Sequence, residues 1–82
     1  MTVTIYSTTT CPYCKMLKDY LAEKKVQYQE KLVDQDDAAK EEMMAISGGY
    51  LGVPYSVVDL DGRQEKVIGF DKARFDQILG SQ

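Results

Sequence analysis

The 82-residue chain contains no histidine and only two cysteines, Cys11 and Cys14. A zinc site needs four nitrogen or sulfur ligands, so one could form here only if it were shared between chains. Positive charge is scarce as well: 10 lysines and arginines against 13 aspartates and glutamates leave a formal net charge of -3. Nucleic-acid binding normally calls for a basic patch that gathers phosphates, and its absence points to protein partners. No apolar run nears the roughly 20 residues of a membrane span. The opening MTVTIYSTTT has neither the charged start nor the apolar middle of a secretory signal, so a cytoplasmic protein without membrane contact is expected. The acidic residues Asp34, Asp36, Asp37, Glu41 and Glu42 do not follow the loop spacing of a calcium site. They read as the N-terminus of a helix, where the helix dipole favours negative charge. In a reducing compartment a cysteine pair does not persist as a structural disulfide framework, which leaves catalysis as the reason for these two. No repeat, linker or biased tract interrupts residues 1–82, which read as a single, monomeric domain.

What is present is a clear alternation of strand and helix patterns. VTIYS (3–7) mixes β-branched and aromatic residues as a strand does, and the polar TTT (8–10) ends it in a loop. From Pro12, a residue suited to a first helical turn, Cys14, Leu17 and Leu21 recur at steps of three and four, the pattern of an amphipathic helix. VQYQEKLVD (26–34) alternates again. Asp34 or Asp36 can then cap a helix carrying Ala39, Met43 and Ile46, closed by Gly48 and Gly49. VPYSVVDL (53–60) and RQEKVI (63–68) flank Asp61 and Gly62, which predicts an antiparallel hairpin with a type I′ turn. In the last helix Asp71 is placed as N-cap, with Phe70 and Phe75 at the spacing of a hydrophobic staple. The order β-α-β-α-β-β-α gives an α/β fold with one mixed, four-stranded sheet flanked by three helices.

The chemistry centres on CPYC (11–14). If the helix begins at Pro12, the Cys11 sulfur lies beside unpaired backbone N–H groups and the positive end of the helix dipole, about half an elementary charge. Such surroundings bring a thiol down from about 8.5 toward 7 or below, so Cys11 is the expected nucleophile, with Lys15 one turn on adding positive charge. Cys14 falls on the apolar stripe with Leu17 and Leu21 and is the protected partner that attacks a mixed disulfide in the second step of thiol–disulfide exchange. Pro12 removes one N–H donor and stiffens the backbone, while Tyr13 offers substrates an aromatic surface. The competing reading, a pair of small buried hydrophobes, fits poorly with cysteines that open a helix directly after a strand and loop.

CPYC after a strand, together with GVP (52–54) before the third strand, resembles the glutaredoxins over nearly the whole chain. The resemblance implies a thioredoxin-like fold, no bound cofactor, and a cis proline at Pro54 facing the cysteine pair. It also implies that the backbone of Val53 pairs with the main chain of the substrate. The departures concern glutathione as co-substrate. Thr8, Gly52 and the run Gly69, Phe70, Asp71, Lys72 stand where glutathione-using members carry a lysine, a threonine and a Gly-Gly-x-Asp cap. Asp71 and the last helix N-terminus still offer groups for the amino and carboxylate ends of the tripeptide. Gly69 and Phe70 are instead similar to the glutaredoxin-like redoxins that draw electrons from thioredoxin reductase and serve ribonucleotide reductase. Two further alternatives are a thioredoxin-fold binding module without turnover and an iron–sulfur glutaredoxin, the latter opposed by CPYC itself. Tyr50 and Tyr55 flank GVP as candidate walls of a substrate groove.

Overall fold

A computed structural model describes residues 2–50 and 52–80. The elements are β1 (Thr2–Ser7), α1 (Pro12–Glu23), β2 (Tyr28–Leu32), α2 (Asp37–Ser47), β3 (Tyr55–Leu60), β4 (Arg63–Ile68) and α3 (Lys72–Gly80). Their order is the one the patterning predicts. The strands form one sheet in the order β2-β1-β3-β4. β1 pairs in parallel with β2, Ser7 facing Leu32, and antiparallel with β3, Tyr6 facing Tyr55. β4 completes the sheet as the antiparallel partner of β3, with Tyr55 facing Ile68.

The sequence explains who sits where. β1 and β3 are apolar on both faces, with Val3, Ile5, Tyr6, Tyr55, Val57 and Val58 all buried, as interior strands must be. β2 and β4 carry the charged residues of YQEKL and RQEKVI and form the edges. Alternation along the strands then divides the core. One face packs Val3, Ile5, Val58 and Val67 against Leu17, Tyr20 and Leu21 of α1 and Phe75 and Ile78 of α3. The other packs Tyr6, Tyr55 and Val57 against Met43 of α2.

Local chemistry sets the ends of the elements. The Asp36 carboxylate accepts the N–H groups of Ala38 and Ala39 and caps α2, so of the two candidates Asp36 is the cap. Gly48 ends α2 in the left-handed region at φ 72°. α1 ends differently. The Lys25 N–H donates to Ala22 and the Val26 N–H to Leu21, a Schellman closure with Lys25 itself at φ 59° and Val26 packed on the core that holds Leu21. That closure uses up Val26, so β2 starts later than the alternating run 26–34 predicts, and it stops at Leu32, before Asp34 turns to Thr9.

One expectation fails. A type I′ turn needs positive φ at both central residues, and at Asp61-Gly62 only Gly62 has it, at 84°. Asp61 stays in the ordinary region and glycine alone supplies the reversal, while the two-residue loop between Leu60 and Arg63 is as expected. At α3 the Asp71 carboxylate accepts the Arg74 N–H at 3.1 Å, and Arg74 in turn reaches Glu65 of β4 at 2.5 Å. Among the described residues no helix is long and apolar enough to cross a membrane.

Candidate active site

The register brings the chain's chemistry to one end of the sheet. The end of β1, which leads into Cys11, lies opposite the start of β3, which follows Pro54; the end of β4, which leads into Gly69, lies beside that start. Thr8–Thr10 carry the chain from β1 to α1, and Asp34 holds this turn, accepting the Thr9 N–H at 3.1 Å and its hydroxyl at 2.7 Å. Those bonds keep the Asp34 carboxyl below its ordinary range. Asp34 therefore braces the turn that leads into Cys11 rather than capping α2. No sequence pattern announces this, because the partners are 25 residues apart and meet only through the parallel pairing of β1 and β2.

Cys11 is the N-cap of α1, with extended backbone, and Pro12 begins the helix. The Cys11 sulfur accepts the N–H of Cys14 at 3.1 Å. Cys11 is half-buried, whereas Cys14 is 1% exposed. The two form a disulfide, their Cα atoms 5.2 Å apart. A Cys11 thiolate keeping this position on reduction would accept the same N–H, and a charge-assisted bond of this kind is roughly twice as strong as a neutral one. Pro12 and Tyr13 both face solvent, Tyr13 with 61% of its surface. Lys15 pairs with Asp19 at 3.4 Å on the exposed face of the helix.

A cavity of about 670 Å³ opens beside Cys11, bordered by Thr8–Thr10, Lys15, Lys18 and Glu30. Glu30 accepts the hydroxyl of the fully buried Ser7 at 2.7 Å and the Lys18 ammonium at 2.9 Å. Burial alone would raise this carboxyl, but the hydrogen bonds from Lys18 and Ser7 outweigh it and leave Glu30 ionised below its ordinary range. The Glu30 bond raises the Lys18 ammonium correspondingly. Neither residue stands out in the sequence, where each reads as one more surface charge.

On the other side of Cys11's loop the Val53-Pro54 peptide is cis, as the family resemblance implies. Pro54 is fully buried and Val53 half-buried, just outside the β3 ladder. The Pro54 carbonyl accepts the Gly69 N–H at 2.8 Å, which ties the GVP segment to the start of α3. Gly69 has φ 73°, a conformation that suits glycine. Phe70 is half-buried and meets Tyr20 edge-on at 5.7 Å, and Tyr20 also meets Phe75 at 6.1 Å. The staple predicted for Phe70 and Phe75 is thus built around a third ring, supplied by α1. Asp71 is exposed and its carboxylate serves as the cap. Of the two tyrosines flanking GVP, Tyr55 is buried and belongs to the core; only Tyr50, 45% exposed, presents a ring to solvent.

A chain with this site has clear relatives. Residues 3–54 match the family model described as Glutaredoxin. A glutaredoxin-like 8.6 kDa protein of the rubredoxin operon of Clostridium pasteurianum is 39% identical over 77 residues, covering 94% of this chain and 96% of that protein. The crystal structure of the thioredoxin-like protein BC3987 superposes with a TM-score of 0.79 at 30% identity, over 93% of this chain and 97% of that one. NrdH-redoxin of Escherichia coli, a glutaredoxin-like protein with a thioredoxin-like activity profile, shares the fold with a TM-score of 0.77 at 22% identity, over 95% of each chain. Both the family match and the near full-length bacterial relative contain the segment in which Cys11 opens α1 and Pro54 precedes β3. The chain belongs to the glutaredoxin family.

Proposed function

We propose that the protein is a dithiol–disulfide oxidoreductase, in keeping with a family whose members are thiol–disulfide oxidoreductases. One observation carries the reading: within a single helical turn a half-buried sulfur receives a backbone N–H while the second sulfur is shut into the apolar face. Cys11 as thiolate attacks a sulfur of the substrate disulfide; a new S–S bond forms and one substrate thiolate leaves. Cys14 gives up its proton and attacks the Cys11 sulfur, releasing the second substrate thiolate and closing the Cys11–Cys14 disulfide. Two electrons pass to the substrate, and a reductant restores the dithiol.

Substrates are disulfides of proteins or of small thiols in the cytoplasm, laid along Val53 and Pro54 with Tyr13, Gly69 and Phe70 at the rim. The reductant is glutathione or a thioredoxin reductase. The second alternative draws support from Gly69-Phe70 at the head of α3, and it would make ribonucleotide reductase an acceptor. The deciding experiment follows NADPH consumption with a disulfide substrate, supplying either glutathione with glutathione reductase or thioredoxin reductase alone. Turnover only with glutathione assigns a dithiol glutaredoxin; turnover only with thioredoxin reductase assigns the redoxin type. Cys11→Ser abolishes turnover in either system, and Cys14→Ser accumulates mixed disulfides; a Cys11→Ser protein working at the normal rate sinks the mechanism.

A further inference from the structure

The loop between α2 and β3 holds an aromatic ring in a fixed place beside the proposed substrate edge. Gly48 and Gly49 reverse the chain with φ of 72° and 97°. The Ser47 hydroxyl then donates to the Tyr50 carbonyl at 2.6 Å and pins the backbone. The Tyr50 ring leans on the buried Tyr55, centroids 6.4 Å apart and planes tilted by 50°. It also covers Gly52: a Cβ built there would collide with the phenol carbons and hydroxyl of Tyr50. The ring thus occupies the space that a side chain at position 52 would fill. Only a residue without a side chain lets it lie there.

The geometry points to Tyr50 as a specificity-determining residue of the exchange site, selecting polypeptide disulfides that carry an apolar side chain next to the reacting cysteine. The inference rests on the reading of Cys11 and Cys14 as an exchange pair and of Val53 as the partner of the substrate backbone. An extended peptide paired along Val53 passes next to the Tyr50 ring, since Val53 and Pro54 lie between Gly52, under the ring, and Tyr55, against it. Ile68, the register partner of Tyr55 and therefore on the same face, is 60% exposed and continues the apolar surface beyond it. Tyr50, Val53 and Ile68 carry no charge. The nearby cation Lys66 already donates to the Ile46 carbonyl at 3.1 Å. The surface therefore matches an aliphatic or aromatic neighbour of the cystine rather than a carboxylate. A ring held by packing and a pinned backbone loses little entropy on contact, which is what gives tyrosine its strength as a recognition surface.

The test uses two pentapeptides, one with phenylalanine on each side of the cysteine and one with glycine there, each disulfide-linked to a coloured aromatic thiol, with dithiothreitol regenerating the dithiol. Tyr50→Ala is expected to lower kcat/KM on the phenylalanine peptide about 10-fold, mostly through KM, a size typical of losing one aromatic contact. It should leave the glycine peptide within about two-fold, and Tyr50→Phe should behave as the wild type. Gly52→Ala, which pushes the ring aside without removing it, should reproduce the selective loss and serves if Tyr50→Ala folds poorly. Equal losses on both peptides, or none on either, overturn the assignment of Tyr50 while leaving the exchange mechanism standing. A wild-type protein inert towards both peptides overturns the exchange reading, and this inference with it.

Discussion

The two faces of the sheet are built from different material. Between the sheet and helices α1 and α3 lie mostly aliphatic side chains with Phe75 and Tyr20, most of them fully buried. Beneath α2 the buried set is Tyr6, Tyr55, Val57 and Met43, and the tyrosines lead outward: Tyr6 meets Tyr55 at 6.5 Å, and Tyr55 meets the exposed Tyr50. The Tyr6 hydroxyl donates at 2.5 Å to Glu42, which also receives Lys31 at 2.6 Å. The first face anchors the helix that carries Cys14 and is the drier of the two, with Tyr20 as its exit to Asp76; the second is an aromatic ladder with a polar exit at Glu42 that ends at the proposed substrate edge. The larger buried cluster thus lies on the face that holds the Cys14 helix, and the proposed recognition ring on the other.

The sharpest way to break this contrast is truncation. Phe75→Ala should cost about 3–5 kcal/mol and Met43→Ala about 2–3 kcal/mol, since a cavity in the thinner layer is partly refilled by its neighbours and by water. Denaturant melts decide it. A Met43→Ala loss as large as that of Phe75→Ala would mean that the α2 face carries equal load.

Each face also holds one tyrosine donated to a carboxylate, Tyr20 to Asp76 and Tyr6 to Glu42, and the contrast sharpens in alkali. Burial first, then the Asp76 carboxylate, pushes the Tyr20 phenol from 10.0 up to about 12. Burial, then Glu42, pushes Tyr6 up as well. A phenol raised in the folded state contributes stability that is intact below its unfolded value and lost as pH climbs through the folded one. Melting temperature should therefore fall between pH 10 and about 12. Tyr20→Phe should remove roughly a few degrees of that fall, and Tyr6→Phe should flatten it in the same sense. A Tyr20→Phe protein with the wild-type alkaline slope would contradict the linkage.

The smallest test concerns a flaw in the drier face. Ser56, on β3 beside Val58, is fully buried, and its hydroxyl has no partner among the described residues. An unsatisfied buried hydroxyl costs about 1 kcal/mol or more, so Ser56→Ala should raise stability by about 1 kcal/mol. A drop on that substitution would reveal a role for the hydroxyl.

The order of elements was readable from the chain because strand and helix periodicity, the Asp71 cap and the Asp-Gly turn are each written within a few neighbouring residues. The contacts that organise the site are written elsewhere. Asp34 on Thr9, Ser7 and Lys18 on Glu30, and Tyr20 on Asp76 join residues 25, 23, 12 and 56 positions apart. Charge and polarity alone cannot say which of many carboxylates each donor will find. Tyr50 over Gly52 is a different case: the partners are almost adjacent, but a glycine in a loop ordinarily signals backbone freedom, and here it signals space for a neighbour's ring. Lys25 misleads in the opposite direction, because a lysine in the left-handed conformation leaves no mark on which a helix end could be placed.

The strand register has a last consequence for how such a chain can diversify. Cys11, Pro54 and Gly69 share one pole of the sheet, so the Lys24–Lys25 turn and the Asp61-Gly62 hairpin fall at the opposite pole. Residues can be inserted, tags spliced or neighbouring domains grafted there, where loops tolerate added length, without lengthening any segment that reaches the cysteines. These two of the chain's connections are kept at the end away from the cysteines, while the others meet at the cysteine pole.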